Sequence, residues 1–98
     1  MDERRDEVAV QDDRAAGRFE LHVDGQVAFL TYRRSGGNIS LDHTEVPESL
    51  RGRGIADRLA RAALESARSE GLAVVPVCPF VKAYIRRHPE YRSMVSKT

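Results

Sequence analysis

The pattern of hydrophobic and polar positions predicts a β-sheet in the first half of the chain. Phe19, Leu21 and Val23 alternate with polar residues, which is the period of a half-buried strand. Asp24 and Gly25 both tolerate a positive φ and predict a two-residue hairpin turn. Further strands are predicted over about 26–33 and 39–46, separated by a turn at 35–38. A short strand is predicted at 8–10, ahead of a loop at 12–17.

The strand predicted over 39–46 carries several polar residues, so the face on which each one lies matters. Strict period-2 geometry puts Ile39, Leu41, His43 and Glu45 on one face, and the intervening residues, including Thr44, on the other. A β-bulge within the strand would swap the two faces beyond it.

The hydrophobic period changes from strand to helix after residue 51. Apolar residues at helical spacing predict a helix over about 52–70, and Gly71 suits the left-handed residue that ends it. The apolar run 72–77 predicts a buried strand, which the crossover helix would place parallel to the strand at 39–46. Pro76 limits pairing on one side of this strand and predicts an opening in the sheet. A second helix is predicted from Pro79 to about residue 87, because Pro89 excludes its continuation.

The residues before the long helix have the chemistry of an anion site. Gly52 and Gly54 allow a sharp turn and a close approach of the backbone to a ligand. The first N–H groups of the helix would point into that turn, beside Arg51 and Arg53. The sequence therefore favours a phosphate or pyrophosphate site here, and the alternative is a tight turn whose arginines face solvent.

Length, charge and cysteine content restrict the class of protein. A chain of 98 residues fits one domain, predicted over 8–95 after a flexible N-terminus at 1–7. A net charge of +1 with mixed signs argues against nucleic-acid binding, and no apolar run has membrane-spanning length. One cysteine cannot form an internal disulfide, and no group of residues has metal-ligand spacing. A cytoplasmic protein without a metal or a membrane partner is expected.

Arg51, Gly54 and Ala56 match the pattern [QR]-x-x-G-x-[GA]. This stretch resembles the acetyl-coenzyme A pyrophosphate loop of the GNAT superfamily of N-acetyltransferases. His-Thr-Glu-Val-Pro at 43–47 and Val-Cys-Pro-Phe-Val at 77–81 resemble a small stand-alone branch, and the resemblance is closest over 41–95. It implies a mixed α/β (α+β) fold, with a mostly antiparallel sheet and a βαβ crossover. The chain has no room for the two helices that usually follow the first strand, so the resemblance says little about the acceptor.

The resemblance implies that acetyl-coenzyme A is the cosubstrate. Its pantetheine arm would pair with the strand that ends at Val46, and Tyr84 would be placed to protonate the departing thiolate. The residues expected to bind the cosubstrate are Val46, Arg51, Gly52, Arg53, Gly54, Ile55, Ala56, Pro79 and Tyr84.

Three residues are candidates for catalysis. Pro79 suits the first position of a helix, so Cys78 would be its N-cap, where the helix dipole and free N–H groups stabilise a thiolate. The resemblance implies that such a cysteine accepts the acetyl group, whereas the alternative is a buried structural cysteine. His43 and Glu45 are candidates for the base that deprotonates an amine acceptor, since imidazole titrates near neutral pH. The alternative for both is a structural or solvated role.

The sequence therefore predicts an acyltransferase that moves an acetyl group from acetyl-coenzyme A to an amine, either a small molecule or a protein. The transfer would be direct or through a Cys78 thioester. One alternative is a non-catalytic coenzyme A-binding module that senses acyl status for a partner protein. Another is a small interaction domain that binds no nucleotide.

Overall fold

The computed structural model describes residues 9–96, so the flexible terminus predicted at 1–7 and the first residue of the strand predicted at 8–10 lie outside the described residues. A five-stranded sheet has the order β1-β2-β3-β4-β5, in which β4 and β5 are parallel and the other neighbours are antiparallel. The mixed sheet with a βαβ crossover is confirmed. The elements are β1 (Gln11–Asp13), β2 (Arg18–Val23), β3 (Gln26–Ser35), β4 (Asn38–Glu45), α1 (Ile55–Ser69), β5 (Ala73–Pro76) and α2 (Pro79–Arg87).

The first strand lies three residues later than predicted. Residues 9 and 10 are not in a strand, and β1 instead contains the two aspartates that had been assigned to a loop. Asp12 pairs with Phe19 across the sheet and its carboxylate accepts a hydrogen bond from the Tyr32 hydroxyl at 2.5 Å. Asp13 accepts a hydrogen bond from the backbone N–H of Ala16 at 3.1 Å. These two aspartates can lie in an edge strand because each carboxylate accepts a hydrogen bond from a particular donor. Such contacts leave no trace in the hydrophobic periodicity, so the strand was predicted too early in the chain.

The helices pack on one face of the sheet in the described part of the chain. The inward residues of β2, β3 and β4 are almost fully buried, and they form one core with the apolar stripe of α1 and with Val81, Tyr84 and Ile85 of α2. We call this side the helix face and the opposite side of the sheet the open face. The side chains in the core from the three central strands are Phe19, Leu21, Val23, Ala28, Leu30, Tyr32, Ile39 and Leu41.

A β-bulge in β4 changes the faces predicted for its second half. Tyr32 pairs with Leu41, but the preceding Thr31 pairs with His43, so Asp42 is the additional residue. Beyond the bulge Thr44 pairs with Leu30 and shares the helix face with it. The prediction that His43 and Glu45 share a face with Ile39 and Leu41 is therefore wrong, and both lie on the open face.

The ends of the helices follow local sequence signals. Helix α1 begins at Ile55, three residues later than predicted, because Gly52 and Gly54 are left-handed with φ of 85° and 74°. A 3-10 helix, Glu48–Leu50, precedes this turn. Gly71, with φ of 69°, follows the C-terminal end of α1 as predicted. After α2 the chain forms a 3-10 helix, Pro89–Met94, and a single parallel bridge joins Val95 to Val74 of β5.

Candidate active site

The sheet opens between β4 and β5, as the position of Pro76 predicted. The two strands pair only as far as Leu41 and Pro76. The backbone N–H groups of Val77 and Cys78 then both donate to the Leu41 carbonyl, at 3.0 and 2.9 Å. Among the described residues, the part of β4 beyond the bulge has a strand partner only on its β3 side. Its other backbone edge is therefore available to a ligand.

Cys78 lies at this opening. It is the N-cap of α2, with Pro79 at the first helical position as predicted, and its extended backbone has φ of −68° and ψ of 126°. The thiol is largely enclosed, since the residue is 5% exposed. Its Sγ is 3.5 Å from the Thr44 Oγ1, so the thiol and the hydroxyl form a hydrogen bond in which either can donate. The bulge makes this contact possible because it brings Thr44 to the helix face.

His43 and Glu45 form a second polar pair on the other side of β4. The His43 Nε2 is 3.0 Å from the Glu45 Oε1, and the two side chains are 62% and 52% exposed. The structure therefore brings two of the three predicted catalytic residues into contact. The third, Cys78, contacts Thr44, whose side chain leaves β4 on the opposite face. Thr44 was not predicted as a site residue, because strict period-2 geometry could not locate it beside the thiol.

The glycine turn lines one side of a cavity of about 180 Å³ at the start of α1. A Cβ added at Gly52 or Gly54 would meet nothing within 4 Å, so both positions border open space. The first intrahelical hydrogen bond runs from the Arg58 N–H to the Gly54 carbonyl at 3.1 Å. The backbone N–H groups of residues 55–57 come before it, and the start of a helix leaves such groups without an intrahelical acceptor. The predicted residues among those that line the cavity are Arg51, Gly52, Gly54, Ile55 and Ala56.

The two arginines of the turn already have partners. The Arg51 Nε donates to the Val46 carbonyl at 3.2 Å. The Arg53 Nη1 is 3.3 Å from the Asp24 Oδ2, which belongs to the turn between β2 and β3. Gly52 and Gly54 line the cavity, but Arg53 between them does not. All of these contacts are exposed, so a ligand anion could replace them at small cost.

Two residues that were not predicted also line the cavity. Phe80, in the first turn of α2, is one of them. Asp57, in the first turn of α1, adds a carboxylate to the wall and pairs with the Arg87 Nη2 at 3.3 Å. Asp57 had no predicted role, and Phe80 lay within the motif at 77–81 without a role of its own.

Tyr84 is in the core of the helix layer. Its ring stacks on His88 with centroids 4.0 Å apart, and the Arg87 guanidinium lies 5.6 Å from the ring centroid. Burial raises the pKa of its hydroxyl, so Tyr84 keeps its proton at neutral pH. The group can act as a hydrogen-bond donor or acid, but it lies well along α2 from the N-cap that holds Cys78.

The described residues form neither a metal-binding cluster nor a membrane-spanning helix. Within residues 9–96, no three His, Cys, Asp or Glu side chains group as metal ligands would. The helices found there also lack the length and apolar character that crossing a membrane requires.

Comparison with protein families gives a match over most of the chain. The family model of GCN5-related N-acetyl-transferases matches residues 18–94, which include the opening, the glycine turn and both helices. Protein NATD1 of Mus musculus is 38% identical over 85 residues, which cover 84% of this chain and 77% of that protein. Protein NATD1 of Homo sapiens is also 38% identical, with 84% and 75% covered.

A solved structure has the same architecture. The NMR solution structure of a GCN5-like protein from Staphylococcus aureus superimposes with a TM-score of 0.70 at 26% sequence identity. The match covers 91% of this chain and 88% of that one. The two proteins therefore share a fold.

Proposed function

Since the chain belongs to the family of GCN5-related N-acetyltransferases, we propose that it moves an acetyl group from acetyl-coenzyme A to an amine acceptor. The family resemblance and the minimal mixed-sheet fold predicted from the sequence are confirmed. One observation carries the proposal: Phe80, in the first turn of the helix whose N-cap is the enclosed Cys78, also lines the cavity at the glycine turn. A donor with a phosphate end and a thioester end could reach both the cavity and the thiol.

The phosphate end of the donor would bind at the start of α1. Free N–H groups of the first helical turn, at Ile55 and Ala56, would donate to the pyrophosphate, with the positive end of the helix dipole behind them. Arg51 and Arg53 would exchange their present acceptors for phosphate oxygens. Release of Arg51 also frees the Val46 carbonyl, which could then accept a hydrogen bond from a pantetheine amide, in the manner of an added strand.

The thioester end would lie beside Cys78, where two routes are chemically balanced. In the first, the Cys78 thiolate attacks the acetyl carbonyl, the donor's C–S bond breaks, and coenzyme A leaves as a thiol after it gains a proton. The amine then attacks the new thioester, loses its proton and regenerates the thiol. In the second route, the amine attacks the donor directly. His43 and Glu45 would accept the proton of the amine in either route.

A second candidate function is a non-catalytic module that binds coenzyme A. The observation in its favour is that β4 separates the His43–Glu45 pair from the Cys78–Thr44 contact. Such a module would need the glycine turn and the cavity but no assembled set of catalytic groups.

Mass spectrometry after exposure to acetyl-coenzyme A distinguishes these functions. Cys78 is the single cysteine of the chain, so a hydroxylamine-labile adduct of acetyl mass would have to lie there. The two-step route requires this adduct, its absence in Cys78→Ser, and loss of turnover in Cys78→Ala. Turnover without an adduct would support direct transfer. Donor binding without any turnover over a broad amine panel would instead favour the non-catalytic module.

A further inference from the structure

The open face of the sheet is a broad polar surface next to the candidate active site. Strand pairing puts on it the residues opposite those of the core, and within residues 9–96 both α-helices pack on the other face. The charged and histidine residues of the open face, with the two β3 residues Phe29 and Thr31 that lie among them, are Asp13, Arg18, Glu20, His22, Phe29, Thr31, Arg33, Asp42, His43 and Glu45.

The open face leads to the opening between β4 and β5. His43 and Glu45 lie on the open face. The side chain of Thr44, between them in sequence, lies on the helix face and contacts the Cys78 Sγ. A group that approaches from the open face would therefore meet the candidate base first and the thiol beyond the strand. The donor's phosphate end would instead be held at the start of α1, so the two substrates would not compete for space.

The charge of the open face suits a cation. Within residues 9–96, four carboxylates and two guanidinium groups on this face give a surplus of two negative charges when the histidines are neutral. Arg18 pairs with Glu20, which is buried, and Arg33 pairs with Asp42, so the surplus lies at Asp13 and Glu45. Hydrogen bonds from Arg18 and His22 lower the pKa of the Glu20 carboxyl, so it is ionised at neutral pH. Burial opposes ionisation of Asp42, but hydrogen bonds from Arg33 and Ser40 hold its pKa below the usual value.

The shape of the open face suits a chain better than a free small molecule. Sites for small molecules are generally concave, whereas this surface consists of side chains from neighbouring strands of one sheet. Binding would then come from several shallow contacts spread along the strands, which an extended segment can make. Arg18 lies over the Phe29 ring at 4.5 Å from its centroid, so the surface also offers a flat stacked contact.

We propose that the open face docks the acceptor as an extended basic segment of a protein and presents a lysine side chain at the opening between β4 and β5. This inference rests on the proposed acetyl transfer. The lysine amine would give a proton to the His43–Glu45 pair, form a C–N bond with the acetyl carbonyl carbon and displace a thiol from it, either coenzyme A or Cys78. Neighbouring basic residues of the segment would contact the Asp13 and Glu45 carboxylates, where the negative surplus of the open face lies.

The test uses substitutions at Thr31, which stands directly opposite His43 in the β3–β4 pairing. Thr31→Lys and Thr31→Glu place opposite charges at one position. Arg92→Glu, at an exposed residue of the 3-10 helix Pro89–Met94, is the control for net charge. Fluorescence anisotropy would measure the binding of two labelled peptides that contain one lysine flanked by either arginines or glutamates. Calorimetry would measure donor binding separately.

The expected results depend on charge and position. Thr31→Lys should weaken binding of the arginine-flanked peptide by about threefold or more, and Thr31→Glu should strengthen it by a similar factor, with both effects reduced in high salt. Arg92→Glu should leave the affinity within about 1.5-fold, and the glutamate-flanked peptide should bind much more weakly. Thermal unfolding of each variant would confirm that the fold is kept.

Three outcomes would contradict the inference. Equal effects of the two Thr31 variants, or an effect of Arg92→Glu as large as theirs, would remove the open face from acceptor binding. Acetylation of free spermidine as efficient as that of the arginine-flanked peptide would contradict an extended protein segment. Absence of donor binding by the wild-type chain would overturn the proposed acetyl transfer itself, which the calorimetric experiment detects independently of peptide docking.

Discussion

Replacement of Asp24 by asparagine is expected to strengthen coenzyme A binding, although Asp24 itself would not contact the ligand. Its carboxylate holds the Arg53 guanidinium at 3.3 Å, away from the wall of the cavity at the glycine turn. The substitution would keep the hairpin, because asparagine tolerates the left-handed backbone that Asp24 adopts, with φ of 52°. The hydrogen bond from Gln26 to Ser49 at 2.6 Å would still tie this turn to the segment before α1.

The size of the effect follows from the exposure of the ion pair. The side chains of Arg53 and Asp24 are 49% and 55% exposed, so solvent screens their attraction. Exposed pairs of this kind contribute about 0.2–1 kcal/mol. If Arg53 must leave Asp24 to reach a phosphate, the substitution should lower the Kd by about 1.4- to 5-fold. For the same reason Arg53→Ala should weaken binding only modestly, because the arginine's interaction with phosphate is partly offset by the loss of its contact with Asp24.

Calorimetric titration with desulfo-coenzyme A measures this effect without thiol exchange at Cys78. A double-mutant cycle supplies the control, since Asp24→Asn should have no effect on affinity when Arg53 is already alanine. An equal gain in affinity in that background would mean that Asp24 acts through the general field of the surface. No gain in the wild-type background would contradict the assignment of Arg53 to the phosphate site.

Three further results are expected. Gly54→Ala and Gly36→Ala should each cost about 1 kcal/mol of unfolding free energy, because both glycines are left-handed and border open space, but only Gly54→Ala should weaken coenzyme A binding in calorimetry. Thr44→Val should slow alkylation of Cys78 by iodoacetamide about 2- to 10-fold, since the thiolate loses a hydrogen-bond donor. Burial and a hydrogen bond to Glu65 raise the pKa of Tyr91 to about 12, so denaturant unfolding should show stability that is fully present below about pH 10 and lost toward pH 12, unless Tyr91 is replaced by phenylalanine.

Elements whose signals are local could be predicted from the sequence. The turn at Asp24 and Gly25, the end of α1 before Gly71 and the start of α2 at Pro79 each depend on the backbone preferences of one or two residues. The long amphipathic stripe of α1 and the apolar run of β5 likewise appear within a short window. Strand β1 could not be predicted, because Asp12 belongs to the sheet through a hydrogen bond from Tyr32, twenty residues away.

The sequence predicted which residues form the candidate site better than it predicted the contacts among them. The left-handed glycines before α1, the cysteine at the N-cap of α2 and the opening beside Pro76 are confirmed as structural features, and their role in binding or catalysis stays a prediction. The partners of Arg51 and Arg53 and the contribution of Asp57 to the cavity were not predicted, since they depend on how the hairpin turn, α1 and α2 meet. The contact of Thr44 with Cys78 was missed for a related reason, because a bulge is a property of two paired strands.

The bulge in β4 has a direct consequence for the chemistry. Without the additional residue Asp42, the strand would present His43 and Glu45 on the buried helix face, where two titratable side chains would lose solvation next to the enclosed Cys78. With it, the small hydroxyl of Thr44 meets the thiol, and the His43–Glu45 pair stays exposed to solvent. The proposed base can then exchange protons with water while the thiol remains enclosed. A proton and an acyl group would thus be handled on opposite faces of one strand, and an amine that crosses the opening would connect them.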